Sequence, residues 1–296
     1  MLQAKIITDS EFDGVRLVTF EVEFHRFILP EINTHRVFSR NYQSSRAVPV
    51  KSLIEQVRSD PAMPVHWGKN QSGMVAEEEL NSDAQEIAEK SWRGAALEAS
   101  IKAERMDNYG AHKQVVNRLL EPFMWTRGVI TATAEGFESF SKLRCHPDAQ
   151  PEIQALAFLM RDAMELSEPT QLKAGDWHMP YFQEGYWHPD AEVSLADAVK
   201  ISTSCVAQVS YRKLDDSLKK AAKIYDMLNL PSKGVFSDNP PHFSPAEHCA
   251  RAIGSDDYLF ELFPFSDSSI GGNFNTTKWY QYRKMLEQGT EANYFN

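Results

Sequence analysis

Apolar residues recur at strand spacing near the start of the chain. Val15, Leu17, Val18, Phe20, Val22 and Phe24 are apolar or β-branched and predict a strand over 15–24. Residues 3–9 predict an earlier strand, and the polar, turn-like 9–14 stretch joins the two as a hairpin. Phe27, Ile28 and Ile32 then carry helical spacing. A short amphipathic helix is predicted over 50–58 and stops at the Pro61 and Pro64 segment. The longest helical pattern spans 77–107, with Asp83 a candidate internal cap. Ile87, Trp92, Ala95, Ala96, Ile101 and Ala103 predict its broad buried face, and Tyr109-Gly110 ends it. A further helix is expected over 112–120, ending at Pro122. The β-rich run 128–134 predicts a strand, 137–144 a segment that turns the chain, and 145–148 a tight connector. Residues 149–166 predict a helix with Ile153, Leu156, Ala157 and Met160 on one side.

The aromatic stretches 175–181 and 185–189 are irregular and read as packing loops; roofing a site is the alternative. From Ser194 a second unit begins, with a buried helix over 201–211, an amphipathic helix over 217–230 and a Pro/Gly/Ser-rich connector over 231–241. The expected fold class is α/β (α+β), with mixed sheets flanked by long helices. It divides into a core unit, 1–193, and a second unit, 194–296, packed on the first.

Composition narrows the function. A chain of 296 residues with 42% hydrophobic content can bury a full core. A net charge of −10 argues against wrapping duplex nucleic acid, while a small phosphorylated molecule needs only a few converging arginines. Cys145, Cys205 and Cys249 are too few and scattered for a disulfide framework or a zinc site, and read as reduced thiols. No stretch approaches the ~20 apolar residues of a membrane span, and the first residues lack the apolar run of a signal peptide. The expectation is a cytoplasmic protein with neither membrane nor nucleic-acid partner.

The candidate chemistry sits in the loop 34–46, which gathers His35, Arg36, Arg40 and Arg46 with Ser39, Ser44, Ser45 and Asn41. Arg forks, hydroxyls and backbone N–H groups are phosphate donors. A solvated surface loop is the alternative on composition alone.

The loop resembles the signature of the flavin-dependent thymidylate synthases (thymidylate synthase complementing proteins). That signature reads Arg-His-Arg, two residues, Ser, one, Asn-Glu, one, Ser, one, Arg-Tyr. His35, Arg36, Ser39, Asn41, Ser44 and Arg46 match it; Thr34, Tyr42 and Ala47 depart from it. Two further patterns agree: Arg118 shortly before Pro122, and Leu143-Arg144 leading into Ala149-Gln150 and Glu152-Ile153. Thr133 and Ser139 stand where the family often has Asn, and Glu135 where it favours Arg. The segment His242, Ser244-Pro245, Glu247-His248 is similar to one that usually precedes the signature loop. Here it follows, which implies a rearranged order, most simply a circular permutation. Its spacing is not that of a helical zinc-protease motif, and no metal is expected.

The resemblance implies reductive methylation of dUMP to dTMP, with FAD as cofactor and NADPH and methylenetetrahydrofolate as co-substrates, in a homo-oligomer, typically a tetramer. It assigns Ser44, Arg46, Arg118 and Arg144 to the nucleotide. To the flavin it assigns His35, Arg36, Asn41, Ser139, Ser244 and Glu247. Arg144 and His242 become the catalytic candidates. Cys145, beside Arg144, is the candidate for a lowered thiol pKa and a competing thiol mechanism. The departures at Thr34, Tyr42, Thr133, Glu135 and Ser139 leave two alternatives: an enzyme acting on another pyrimidine nucleotide, or an inactive nucleotide-binding homologue.

Overall fold

A computed structural model describes residues 1–210, 214–229, 243–254 and 268–294. Its strands are β1 (Gln3–Phe12), β2 (Val15–His25), β3 (Ser39–Tyr42), β4 (Trp125–Thr133), β5 (Thr170–Gln171), β6 (Trp177–His178), β7 (Tyr186–Trp187), β8 (Ala250–Ala252) and β9 (Trp279–Gln281). The helices are α1 (Leu29–Ile32), α2 (Val50–Ser59), α3 (Ser82–Asn108), α4 (Lys113–Val116), α5 (Ala134–Arg144), α6 (Pro151–Glu165), α7 (Leu195–Ala207), α8 (Leu218–Asn229) and α9 (Tyr282–Gln288). This is the expected mixed α/β class.

The first sheet has the order β3-β4-β2-β1-β5, antiparallel except for the β1–β5 pair. The β1–β2 hairpin turns at Asp13-Gly14, both with positive φ (47° and 77°), a conformation that Asp-Gly tolerates in tight hairpins. Alternation along β2 then sorts the side chains. Val18, Phe20, Val22 and Phe24 pack with Phe137 and Phe140 of α5 and with Ile153, Leu156 and Met160 of α6. Leu17, Thr19 and Glu21 face the other way, toward the second sheet.

That second sheet has the order β7-β6-β8-β9, all antiparallel, so strands from both sides of residue 193 share it. Trp177, Met179, Val199, Phe243, Tyr280 and Tyr282 form its core with α7 and α9.

The seam between the sheets is polar. Ser39, Thr131, Thr19 and Thr8 lie in register across β3, β4, β2 and β1, and all are buried. His178 Nε2 is 2.7 Å from Thr19 Oγ1 and its Nδ1 is 3.0 Å from Ser10 Oγ. Thr19 and Thr131 hydroxyls lie 2.7 Å apart, and His248 Nδ1 is 2.8 Å from Thr131 Oγ1. Gln281 Nε2 donates to Ser39 Oγ at 3.0 Å. Burial pushes both imidazoles down to about 3, so both are neutral at pH 7.

Six expectations need correction: the helix expected over 201–211 is α7, Leu195–Ala207, the aromatic stretches read as irregular supply β6 and β7, and four more follow. Residues 137–144 are helical: Thr133 accepts from the Gly136 amide as N-cap, and Phe137 and Phe140 are one helical turn apart facing the sheet. The α3 cap is Asn81, which accepts from the Ala84 amide, and not Asp83. Of the broad α3 face, Ala96 and Ala103 are buried with Ser100, while Ile87, Ala95 and Ile101 are exposed, because the α2 and Phe123 side covers only a narrow stripe. The 112–120 helix is short: α4 passes into a 3-10 helix, Asn117–Phe123, which carries Pro122.

The seam makes stability depend on pH. The folded-state pKa of each histidine lies below the unfolded value near 6.5, so the unfolded chain takes up the protons. Their contribution is intact above pH 6.5 and is lost as pH falls toward 3, at up to about 1.4 kcal/mol per pH unit for each. Urea unfolding at pH 7.5, 6.5 and 5.5 should show stability falling mainly across the lower interval. A flat profile would mean that these imidazoles titrate normally.

Candidate functional site

The loop 34–46 wraps β3, and each end is held differently. At the first end, Arg144, the last residue of α5, donates from Nε to His35 Nε2 at 2.9 Å. Its Nη2 reaches Thr34 Oγ1 at 3.1 Å and the Glu31 carbonyl at 3.5 Å. An acceptor role at Nε2 requires His35 to be neutral with its proton on Nδ1. Burial, then Arg144 and Arg40, push its pKa down to about 4. The ring packs edge-on to Phe140, with centroids 4.8 Å apart. Arg40 caps the same turn, donating to the His35 carbonyl at 2.7 Å and the Phe38 carbonyl at 3.3 Å.

At the other end, Asn117 Nδ2 donates to the Ser45 carbonyl at 2.6 Å and the Val48 carbonyl at 3.1 Å. Ser45 Oγ donates to Glu121 Oε1 at 2.8 Å. The same carboxylate oxygen accepts from Arg118 at 2.8 Å and lies 3.6 Å from Arg26. Arg118 therefore reaches the signature turn through Glu121. Arg36 and Arg46 are exposed, with no side-chain hydrogen bond or ion pair among the described residues. A cavity of about 340 Å³ opens beside this turn, lined by Gln43, Val48, Ser52, Gln56, Trp125 and Arg127 among others.

The 3-10 helix Ser244–His248 packs on β3 and brings the third motif to the signature strand. Gln281 clamps it by donating to the Glu247 carbonyl at 3.0 Å as well as to Ser39. The half-buried Glu247 carboxyl is raised by desolvation, against the pull of Arg283 and Arg40. Asn41 Nδ2 donates to the Val206 carbonyl at 2.8 Å, tying β3 to the end of α7. Ser244 is half-buried and Ser139 is exposed on α5. His242 lies outside the described residues.

The structure thus joins His35 to Arg144, the Ser44–Arg46 turn to Arg118, and β3 to the Ser244–His248 segment. No hydrogen bond or ion pair links the Arg144 group to the Arg118 group among the described residues; β3 separates them. Asn117, Glu121 and Gln281, which hold the loop together with Arg40, were not singled out in the sequence. For Glu121 a signal existed, its place between Arg118 and Pro122.

One substituted position and the candidate thiol resolve. Tyr42 turns inward: its ring meets Phe24 edge-on at 5.6 Å and covers Gly128, where an added Cβ would lie 2.2 Å from a ring carbon. Its hydroxyl is buried with no hydrogen-bond partner among the described residues, and burial pushes its pKa up. Cys145 corrects the thiol expectation. Burial raises its pKa, with Arg161 only partly opposing; Cys205 and Cys249 are pushed up to about 12 and about 11. Among the described residues, no group of three or more His, Cys, Asp and Glu could hold a metal ion, and no helix is long and apolar enough to cross a membrane.

The sequence profile of the family described as thymidylate synthase complementing protein matches residues 15–170, more than half of the chain. The chain belongs to that family. No curated protein sequence matches it. Among solved structures it is similar to a UMP/dUMP methylase, PolB from Streptomyces cacaoi, bound with 5-Br dUMP. That pair is 17% identical over 55% of this chain and 90% of the other, with a TM-score of 0.46. It is also similar to the flavin-dependent thymidylate synthase ThyX from Helicobacter pylori complexed with FAD and dUMP, at 21% identity over 50% of this chain and 67% of the other, with a TM-score of 0.35.

Two outcomes test this geometry. Gly128→Ala should destabilise the protein by about 1–3 kcal/mol through overpacking against Tyr42, whereas Tyr42→Phe, which removes an unpartnered buried hydroxyl, should leave stability equal or higher in urea titrations. Arg144→Ala should raise the His35 pKa above about 4 while burial keeps it below 6.5. An NMR pH titration of the imidazole reads this directly, and an unchanged value would remove Arg144 from its surroundings.

Proposed function

We propose that this chain is a flavin-dependent pyrimidine-nucleotide C5 methylase that converts dUMP to dTMP, with methylenetetrahydrofolate as carbon donor and NADPH as reductant. The carrying observation is the signature loop held open on β3, with Arg144 locked onto neutral His35 at 2.9 Å, inside the region that matches the family. The donor set fits anionic ligands: Arg36 and Arg46 stand exposed and uncommitted, and Ser44 is half-buried in the same loop. In this reading His35, Arg36, Asn41, Ser139, Ser244 and Glu247 hold FAD, and Ser44, Arg46, Arg118 and Arg144 hold the nucleotide. When bound and reduced, the flavin supplies the hydride.

The protein's own work is positioning and electrostatics. His35 accepts one N–H of Arg144 and Thr34 another, so the guanidinium is aimed before substrate arrives. A fixed cation at the uracil edge stabilises negative charge that develops as C5 becomes nucleophilic. A poised protein thiol is absent among the described residues, since all three cysteines are shifted up. Solubility, a small-molecule nucleotide partner and a tetrameric assembly with His242 at the site complete the reading.

The test begins with the absorbance spectrum of the purified protein, with FAD and then dUMP added, followed by tritium release from C5 of labelled dUMP. A flavin spectrum that shifts with dUMP, and turnover, are expected. Arg144→Ala should keep flavin and lose roughly 100-fold or more in turnover. A folded protein that binds dUMP but no flavin would replace this reading with that of an inactive nucleotide-binding homologue.

A further inference from the structure

Side chains two apart along a strand share a face. On the face that carries the polar seam, successive rows of the first sheet are therefore Ser39, Thr131 and Thr19, then Asn41, Val129 and Glu21, then Gln43, Arg127 and Glu23. The first row is closed by the second sheet and its flanks. The next is closed by α7 and Tyr181: Asn41 Nδ2 donates to the Val206 carbonyl, and the Tyr181 hydroxyl donates to Glu21 Oε2 at 2.6 Å. Where that cover ends, at the Gln43 row, the cavity of about 340 Å³ opens, walled on one side by the start of α2.

Apolar groups line much of this cavity, among them Val48, Leu53, Val209 and the Trp125 indole. Gln56 is committed to the protein: its Oε1 accepts the Trp125 amide at 3.3 Å and its Nε2 donates to the Asp60 carbonyl at 2.6 Å. Other lining groups are not. Gln43 accepts the Arg127 amide through Oε1 at 3.4 Å, and its Nε2 has no partner among the described residues. Arg127 gives Nε to Glu23 at 2.7 Å, and its Nη atoms have no partner among those residues. The Ser52 hydroxyl has none there either. What remains is a set of N–H and O–H donors beside an apolar, aromatic wall. The ligand that answers it carries acceptors on a flat apolar ring. Size argues against a whole dinucleotide, because ligand cavities run from roughly 300 to 1,000 Å³ and this one is at the low end. Charge argues against a phosphate: Glu23 already offsets Arg127, whereas Arg36 and Arg46 stand unpaired outside the cavity.

We propose that this cavity is a second ligand site, separate from the arginine loop, and that it binds an aromatic ring bearing carbonyl or carboxylate acceptors. Gln43, Ser52 and Arg127 hold the acceptors, and Trp125 packs on the ring. The identity of the ligand rests on the proposed function, which gives the carbon donor no residues of its own. The aminobenzoyl-glutamate end of that donor joins a flat ring, an amide carbonyl and carboxylates in one short segment. Gln43 and Val48 flank the Ser44–Arg46 turn, so this placement sets the donor beside the nucleotide.

Isothermal titration calorimetry of the full chain with 4-aminobenzoyl-glutamate, without flavin or nucleotide, tests the site. Saturable binding at one site per chain is expected. Aniline, which keeps the ring, and glutamate, which keeps the aliphatic carboxylates, should each bind weaker by roughly tenfold or more. Gln43→Glu keeps the acceptor for the Arg127 amide but exchanges the unpartnered N–H donor for a carboxylate, and should weaken the probe by roughly tenfold or more. Ser52→Trp fills the cavity from the first turn of α2, where Ser52 is half-buried, and should abolish binding; circular dichroism checks its fold. Binding of dUMP should survive both substitutions. No saturable binding, a probe indifferent to both substitutions, a fragment that binds as well as the probe, or dUMP lost together with the probe would each overturn the proposal. If the probe binds and FAD does not, the proposed function fails and the site stands.

Discussion

A sheet that carries hydroxyls along one face can be covered only by something that answers them. The row Ser39, Thr131, Thr19 and Thr8 is buried, and while the Thr8 hydroxyl donates to the Ile7 carbonyl of its own strand, the other three need partners on the covering side. His178, His248 and Gln281 supply those partners from the second sheet and its flanks. Each imidazole can do so only while neutral, because a buried imidazolium in this seam has no carboxylate beside it. An apolar cover would pack as well but would not fix position. A hydrogen-bonded seam sets the register of the Ser244–His248 segment over β3, and with it the third motif beside the signature strand.

The cationic loop poses the complementary problem. Arg26, Arg36, Arg40, Arg46, Arg118 and Arg144 belong to or border one short stretch of chain. The fold holds them almost without carboxylates: Arg40 rests on two carbonyls, Arg144 on a neutral histidine and a hydroxyl, and Glu121 alone serves Arg118 and Arg26. Carbonyls and imidazole orient a guanidinium without cancelling its charge. The positive potential is therefore left over, and Arg36 and Arg46 present it to solvent. Under the proposed function an anionic ligand would complete such an arrangement, as a network of internal ion pairs would not allow.

Much of this was legible in the sequence, for definite reasons. The hairpin, α2, α6 and β4 announce themselves because their apolar periods match the faces they bury. The loop was legible because chemistry-bearing residue types cluster there. Three features were hidden. Residues 137–144 looked like a turn because Ser, Glu and Lys dilute the pattern, yet the cap at Thr133 and the Phe137–Phe140 spacing suffice for a helix. Ile87 and Ile101 looked buried because period alone says which residues share a side, not whether a neighbour covers it. The seam partners of His178 and His248 stayed hidden because they lie more than 100 positions away in the chain, although His248 was already part of a motif.

Tyr42 shows why a motif must be read through its strand. Alternation sends Ser39 and Asn41 of β3 toward Gln281 and Val206, and Tyr42 to the helix side against Phe24. A carboxylate in that inward pose would lie beneath an aromatic ring with no donor, a costly burial. The tyrosine fits because Gly128, directly opposite on β4, leaves the space that its ring fills. The departure from the signature is thus half of a packing pair, and its bulk lies in the core. Under the proposed function, discrimination among pyrimidine nucleotides would fall to groups that still face solvent, such as Arg36 and Arg46, and not to the ring of Tyr42.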